Sequence, residues 1–182
     1  MFHPYRFSPI DSKEKLLKAI EHIHFSAYKL CKQSFGCYLP NSGNLGLFCH
    51  YDDEFELLKK TRNEITEKTD NPELKYFTLL DPIVIAAKDG VPATTYTHLY
   101  IRKPDVYRYQ VGDIDFYLED SKYQDLKNAM LGGKQVKGAR VFERLDLDMI
   151  ELYDPDVDVL AYVSTSTMTE KVRIKLSDAT KL

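Results

Sequence analysis

The side chains in this sequence whose types and spacing could do chemistry are His50, His98, Asp113, Asp115, Arg102 and a set of tyrosines, Tyr96, Tyr100, Tyr117 and Tyr162. Imidazole and carboxyl groups exchange protons near neutral pH when their surroundings tune them. Tyrosine hydroxyls donate to carbonyl and carboxylate oxygens, and a guanidinium pairs with carboxylate or phosphate. His98 and Asp115 are the candidate catalytic pair. Tyr96, Tyr100, Arg102, Tyr117 and Tyr162 are the candidate ligand-binding residues. His22 and His24 stand two apart in a helical stretch, so they face different ways and cannot act together. No phosphate-loop or dinucleotide fingerprint occurs.

These candidates become a site only if strands present them on one surface. Alternation along residues 94–102 puts Tyr96, His98, Tyr100 and Arg102 on one face. The same rule groups Asp113, Asp115, Tyr117 and Glu119, and separately Asp158, Leu160 and Tyr162. Asn44, Gly46, Phe48 and His50 share a face of an earlier strand, opposite Leu45, Leu47 and Cys49. Helices should cover the apolar faces. A rolled sheet would then turn the tyrosine-rich faces into a concave cleft for a small molecule. A flat sheet would turn them to solvent or to a partner.

The elements that position these faces follow from periodicity. Leu16, Ala19, Ile20, Ile23, Ala27 and Leu30 recur at helical spacing, with Asp11 and Glu14 in capping-box register. This predicts a helix ending near residue 31. A strand is expected over 44–50 and a helix over 52–66, opened by Asp52, Asp53 and Glu54. Strands are expected over 75–80, 82–87 and 94–102. The order then recurs, with a strand over 112–119, a helix capped by Asp120 or Ser121, and strands over 139–145, 148–153 and 157–163. Residues 164–169 read as loop, and 171–176 as a short edge strand or a frayed tail. Gly43-Asn44-Leu45-x-Leu47-Phe48-x-His50 aligns with Gly112-Asp113-Ile114-x-Phe116-Tyr117-x-Glu119, each before an acidic helix start. The expected fold is a single α+β domain over 1–182. An N-terminal helical extension (1–42) precedes two βαβββ modules (43–104 and 105–163) forming a curved mixed sheet, and a polar tail (164–182) follows.

Composition bounds the partners. The 182 residues carry 25 Lys and Arg against 28 Asp and Glu, a net charge of -3, with the two signs interleaved. That predicts no nucleic-acid partner, which would need a basic stripe. No run reaches the roughly 18 apolar residues of a membrane span. The N-terminus lacks a signal pattern, and the three cysteines, Cys31, Cys37 and Cys49, form no CxxC pair. A cytoplasmic protein with unlinked thiols is expected.

The repeated order, and most of all Asp113-Ile114-Asp115-Phe116-Tyr117-Leu118 with Ile150-Glu151-Leu152-Tyr153-Asp154-Pro155-Asp156, resembles the closing module of the vicinal oxygen chelate superfamily. That superfamily contains glyoxalases, extradiol dioxygenases and bleomycin-resistance-type binding proteins. The resemblance covers about 120 residues by the element spacing. It implies paired βαβββ modules and one divalent metal ion held by strand residues, with His50, His98 and Asp115 as the ligand set. It implies a glyoxalase-like small-molecule-binding protein, with lyase or isomerase activity as one form of that expectation. One alternative is a non-enzymatic interaction or homodimerisation domain. Another is a metal-dependent hydrolase around His50, Asp52 and Asp53, because His50-Tyr51-Asp52-Asp53-Glu54 resembles the signature of zinc-dependent sugar deacetylases. The acids in it also have a structural use at a helix start.

Overall fold

The apolar stripe of the first helix is buried as its spacing demands. In the computed structural model, which describes residues 5–144 and 146–175, helix α1 spans Lys13–Phe35. Ser12 caps it by accepting the Lys15 N–H, while Asp11 pairs with the Lys15 ammonium. Gly36, at φ 72, ends the helix a turn beyond residue 31 because only a left-handed residue returns its N–H to the Lys32 carbonyl. His22 and His24 do diverge. His22 reaches Asp158, and His24 sinks into the core against Tyr96.

The remaining elements are β1 (Asn41–Phe48), α2 (Asp52–Ile65), β2 (Phe77–Ile85), β3 (Thr94–Arg102), β4 (Gly112–Leu118), α3 (Asp120–Leu131), β5 (Ala139–Arg144), β6 (Leu147–Leu152), β7 (Val159–Thr165) and α4 (Ser166–Lys171). The seven strands form one mixed sheet in the order β2-β3-β1-β4-β7-β6-β5. β1 runs parallel to β3 and β4 parallel to β7, while β1 and β4 meet antiparallel at the centre. The protein is therefore α+β, with three strands on one side of the β1–β4 seam and four on the other in corresponding order, and an extra N-terminal helix.

Three expectations changed in detail. Residues 75–80 and 82–87 are one strand, β2, which crosses Asp81-Pro82 by a register shift between Thr78 and Ile83. Proline is tolerated there because β2 is the sheet edge and an irregularity frees its missing N–H. Residues 164–169 are not loop. Thr165 accepts the Met168 N–H and starts α4, a local cap that polar composition disguises. In α3 the capping residue is Glu119 and no side-chain cap forms. Leu145, Leu176 and residues 177–182 lie outside the described residues.

The two sheet faces are covered differently. The main core joins α1, Leu58 of α2 and Tyr123 of α3 to Leu45, Leu47, Leu99, Ile114 and Phe116. Each large apolar side chain buried there contributes roughly 1.5–3 kcal/mol. The opposite face holds a smaller cluster, Tyr76, Met149 and Val172, with Tyr100, Phe142, Tyr162 and Met168 packed on it. Its cover is α4 and the residues after it, which lie over β1, β4 and β7. At the seam neither Gly46 nor Gly112 has room for a side chain. A Cβ on Gly112 would stand 2.1 Å from the Gly46 carbonyl oxygen, and one on Gly46 would stand 2.0 Å from Asp113 Oδ1.

Candidate functional site

β4 alternates between core and site. Ile114 and Phe116 point into the main core, and Asp113 and Asp115 point to the other face. Both aspartates are more than nine-tenths buried. The Asp115 Oδ2 accepts from the Asn44 amide at 2.8 Å. Asp113 Oδ1 is buried without a hydrogen-bond partner among the described residues. It fits against β1 because residue 46 has no side chain.

These carboxyl groups line a cavity of about 180 Å³ with Tyr76, Tyr100, Tyr162, Arg102 and Arg108. Burial, then repulsion from Asp115, pushes the Asp113 carboxyl far above the ordinary carboxylate range, toward neutrality. Lys75, Arg102 and Arg108 offset only part of this. Burial also raises Asp115, opposed by the Asn44 hydrogen bond and the charges of Lys75 and Arg173. Repulsion between the two buried acids disfavours ionising both at once, and the raised Asp113 carboxyl can gain or lose a proton near neutral pH. Burial, with the nearby acids, raises Tyr76 and Tyr162 as well, so these hydroxyls stay protonated and act as donors. The Tyr162 hydroxyl donates to Glu151 Oε2 at 3.2 Å, and Glu151 is also held by the Arg140 guanidinium.

Asn44 joins the site to its cover. Its amide nitrogen donates to Asp115 and, at 2.7 Å, to the Thr169 carbonyl, while its oxygen accepts from Arg173 Nε at 2.8 Å. The Arg173 carbonyl in turn accepts the backbone N–H groups of Lys75 and Tyr76. The segment after α4 is thus tied to both β1 and the residues before β2.

The sequence-predicted residues separate into those near the cavity and those away from it. Asp115, Tyr100, Arg102 and Tyr162 line it. His98 lies beside Asn44 in register, on the face that carries Asp115, and outside the cavity lining. Burial and then the Arg173 charge lower its pKa, so the imidazole is held neutral. Tyr117 is half-buried farther along β4 and outside the lining. Tyr96 requires a correction, because it lies in the main core with its hydroxyl on His24 Nδ1 at 2.9 Å. The burial alternation of β3 changes phase between Tyr96 and Leu99, beside the β2 register shift, so strict alternation assigned Tyr96 to the wrong face.

The metal set His50, His98 and Asp115 is not assembled either. His50 ends the β1 segment, where its Nδ1 meets Ser8 Oγ at 2.7 Å and its ring stacks on Tyr5. Among the described residues no three His, Cys, Asp or Glu side chains stand as a group that could hold a metal ion. The same holds for His50 with Asp52 and Asp53. Those two acids are exposed at the start of α2, where Asp53 accepts the Glu54 N–H. The donors present do not fit the divalent ion that the family resemblance implies.

Sequence reading missed Lys75, Tyr76, Arg108 and Glu151, and put Asp113 behind Asp115. Glu151 had a signal, since a charge between Ile150 and Leu152 must face away from the core. Lys75, Tyr76 and Arg108 lie outside regular strands and had none.

No family model matches the chain, and no curated protein matches it. Among solved structures it is similar to a glyoxalase/bleomycin resistance protein/dioxygenase superfamily member from Vibrio splendidus 12B01, at 12% identity over 65% of this chain and 93% of that chain, with a TM-score of 0.33. It is also similar to Streptomyces coelicolor methylmalonyl-CoA epimerase in complex with 2-nitronate-propionyl-CoA, at 19% identity over 69% of this chain and 98% of that chain, with a TM-score of 0.32.

Proposed function

We propose that this protein binds a small carbonyl compound in the Asp113 cavity and moves a proton on the carbon next to the carbonyl, as an isomerase or lyase does. The observation that carries this reading is the Asp113 carboxyl: buried, unbonded at Oδ1, raised toward neutral pKa, and facing a cavity. A buried acid with no structural partner costs stability, and perturbed groups of this kind concentrate at functional sites. A pKa near the working pH lets one group take and return a proton.

The surrounding groups suit that chemistry. Asp113 is the proton carrier, and Asp115, fixed by Asn44, is the second acid whose repulsion helps to keep the Asp113 pKa high. The guanidinium groups of Arg102 and Arg108 would stabilise negative charge developing on a substrate oxygen. Tyr100 and Tyr162 would bind and orient it, and the α4 cover would exclude water. The reading makes no use of a metal. The two modules, 43–104 and 105–163, would each contribute one side of the cleft. A cytoplasmic setting accords with Cys31, Cys37 and Cys49, which are all free thiols. Among the described residues no helix is long and apolar enough to cross a membrane.

The test is solvent deuterium uptake, followed by proton NMR, across a panel of 2-oxo acids and acyl thioesters. Uptake at the carbon beside the carbonyl is expected for at least one compound. Asp113→Asn should cut its rate by about a hundredfold or more. Uptake at the uncatalysed rate throughout the panel, or equal rates for the folded variant, would refute the proposal.

A second reading has its own observation. Leu80 and Val84 are 59% and 65% exposed on the edge strand β2, beside the exposed Leu17 and Leu57. An uncovered apolar edge of this kind supports homodimerisation, alongside the site chemistry or in place of it. Light scattering at rising concentration should then give twice the 21.1 kDa chain mass, and Val84→Lys should return it to the single-chain value.

A further inference from the structure

Beside the acid pocket lies an open groove of about 1130 Å³, between α2, β3 and the 69–75 segment. The two share Lys75, Tyr100 and Arg102 in their linings, so they lie side by side. The groove is lined by six cations, Lys59, Arg62, Lys75, Arg102, Lys103 and Lys175, against two carboxylates, Asp70 and Asp105. A chain with net charge -3 has here collected a local excess of positive charge.

Internal ion pairs account for little of it. Arg102 pairs with Asp105 at 2.9 Å, and Lys59 with Glu56 at 3.1 Å. Arg62, Lys75 and Lys103 form no ion pair among the described residues. Arg62 lies over the Phe77 ring at 3.8 Å with two N–H groups on Asn63 Oδ1, and Lys75 lies over the Tyr100 ring at 4.8 Å. Stacking fixes both cations while leaving their charge unneutralised. Partial burial works against the Arg62 charge, and a bound anion would relieve that cost. In the adjoining cavity stands Asp113, whose Oδ1 is buried without a partner among the described residues.

We infer that the ligand of this protein carries a phosphate-bearing tail, which the Arg62–Lys75–Lys103 groove holds while its uncharged reactive end enters the Asp113 cavity. The inference deepens the reading above and rests on it for the direction in which the ligand lies. Phosphate suits the groove because its oxygens accept from guanidinium and ammonium donors converging from several sides. A small ligand is favoured over nucleic acid because the positive charge is confined to one bounded groove, whereas a polyanion needs a stripe.

Isothermal titration of the whole chain with inorganic pyrophosphate tests this. Saturable binding is expected. The double variant Arg62→Ala, Lys103→Ala should weaken it at least tenfold. Lys122→Ala, at an exposed lysine away from the groove, should leave it unchanged. Asp113→Asn should bind pyrophosphate as well as the natural chain or better, so loss of proton exchange and loss of anion binding are read separately. No binding, equal binding by the folded double variant, or equal loss in Lys122→Ala would overturn the inference. So would preferential binding of a single-stranded oligonucleotide with steep salt dependence.

Discussion

β1 and β4 hold corresponding places in the two halves of the sheet, each parallel to the last strand of its half and each leading into a helix. They are not chemically equivalent. β4 offers two carboxyl groups, Asp113 and Asp115, whereas at the same seam β1 offers an amide, Asn44, and an absence of side chain, Gly46. One half supplies the acids. The other supplies the room one acid needs and the hydrogen bond the other needs. A repeated backbone can thus build an asymmetric site, because a strand pair only has to match in register, not in side chain.

The harshest way to break this comparison is to fill the seam. Gly112→Ala would drive a methyl group to 2.1 Å from backbone that cannot move without separating the strands. Overpacking of this kind costs about 3 kcal/mol or more. Urea titration should show that loss, or no folded protein at all. Next is Asn44→Ala, which strips partners from Asp115, Thr169 and Arg173 at once. A loss of about 2–3 kcal/mol is expected for such buried groups. Amide exchange should quicken in α4 before it does in α1, because Asn44 ties the cover rather than the main core. Unchanged α4 protection would remove Asn44 from that role.

The smallest effect sharpens the comparison, and its sign is opposite. In the folded state the Asp113 carboxyl titrates above its unfolded value of about 4. The folded protein therefore binds the extra proton through that interval. The stability this group contributes is whole below about pH 4 and is lost as pH rises through the raised folded pKa. Asp113→Asn keeps the shape without the charge. It should be more stable than the natural chain at pH 8 by about 1–2 kcal/mol, the order of a buried unsatisfied group, with the gap closing toward pH 4. A pH-independent gap would mean that the carboxyl does not titrate there. A variant that is more stable yet unable to exchange a proton would show a group kept for function at a cost in stability.

Much of the architecture was legible in local pattern. The period of α1, the acid-led start of α2 and the alternation in β4 each depend on residues a few places apart. So the helices, the repeated order and the polar face with Asp113, Asp115, Tyr100 and Tyr162 could be read directly. Tyr96 escaped because its face depends on a register shift between β2 and β3, a property of two strands and not of one. α4 escaped because six residues, all polar but Met168, make a helix only where Thr165 caps it and the sheet beneath receives it.

By itself the sequence determined which residues could lie inside and which elements could form, since periodicity and capping act over a turn or two of chain. Only the tertiary structure decided which polar groups lose water together. Burial raised Asp113, Gly46 from the other half made its place, and Arg62, Lys75 and Lys103 met along one groove. Those effects depend on distance and dielectric in space, and residues far apart in the chain carry no local mark of them.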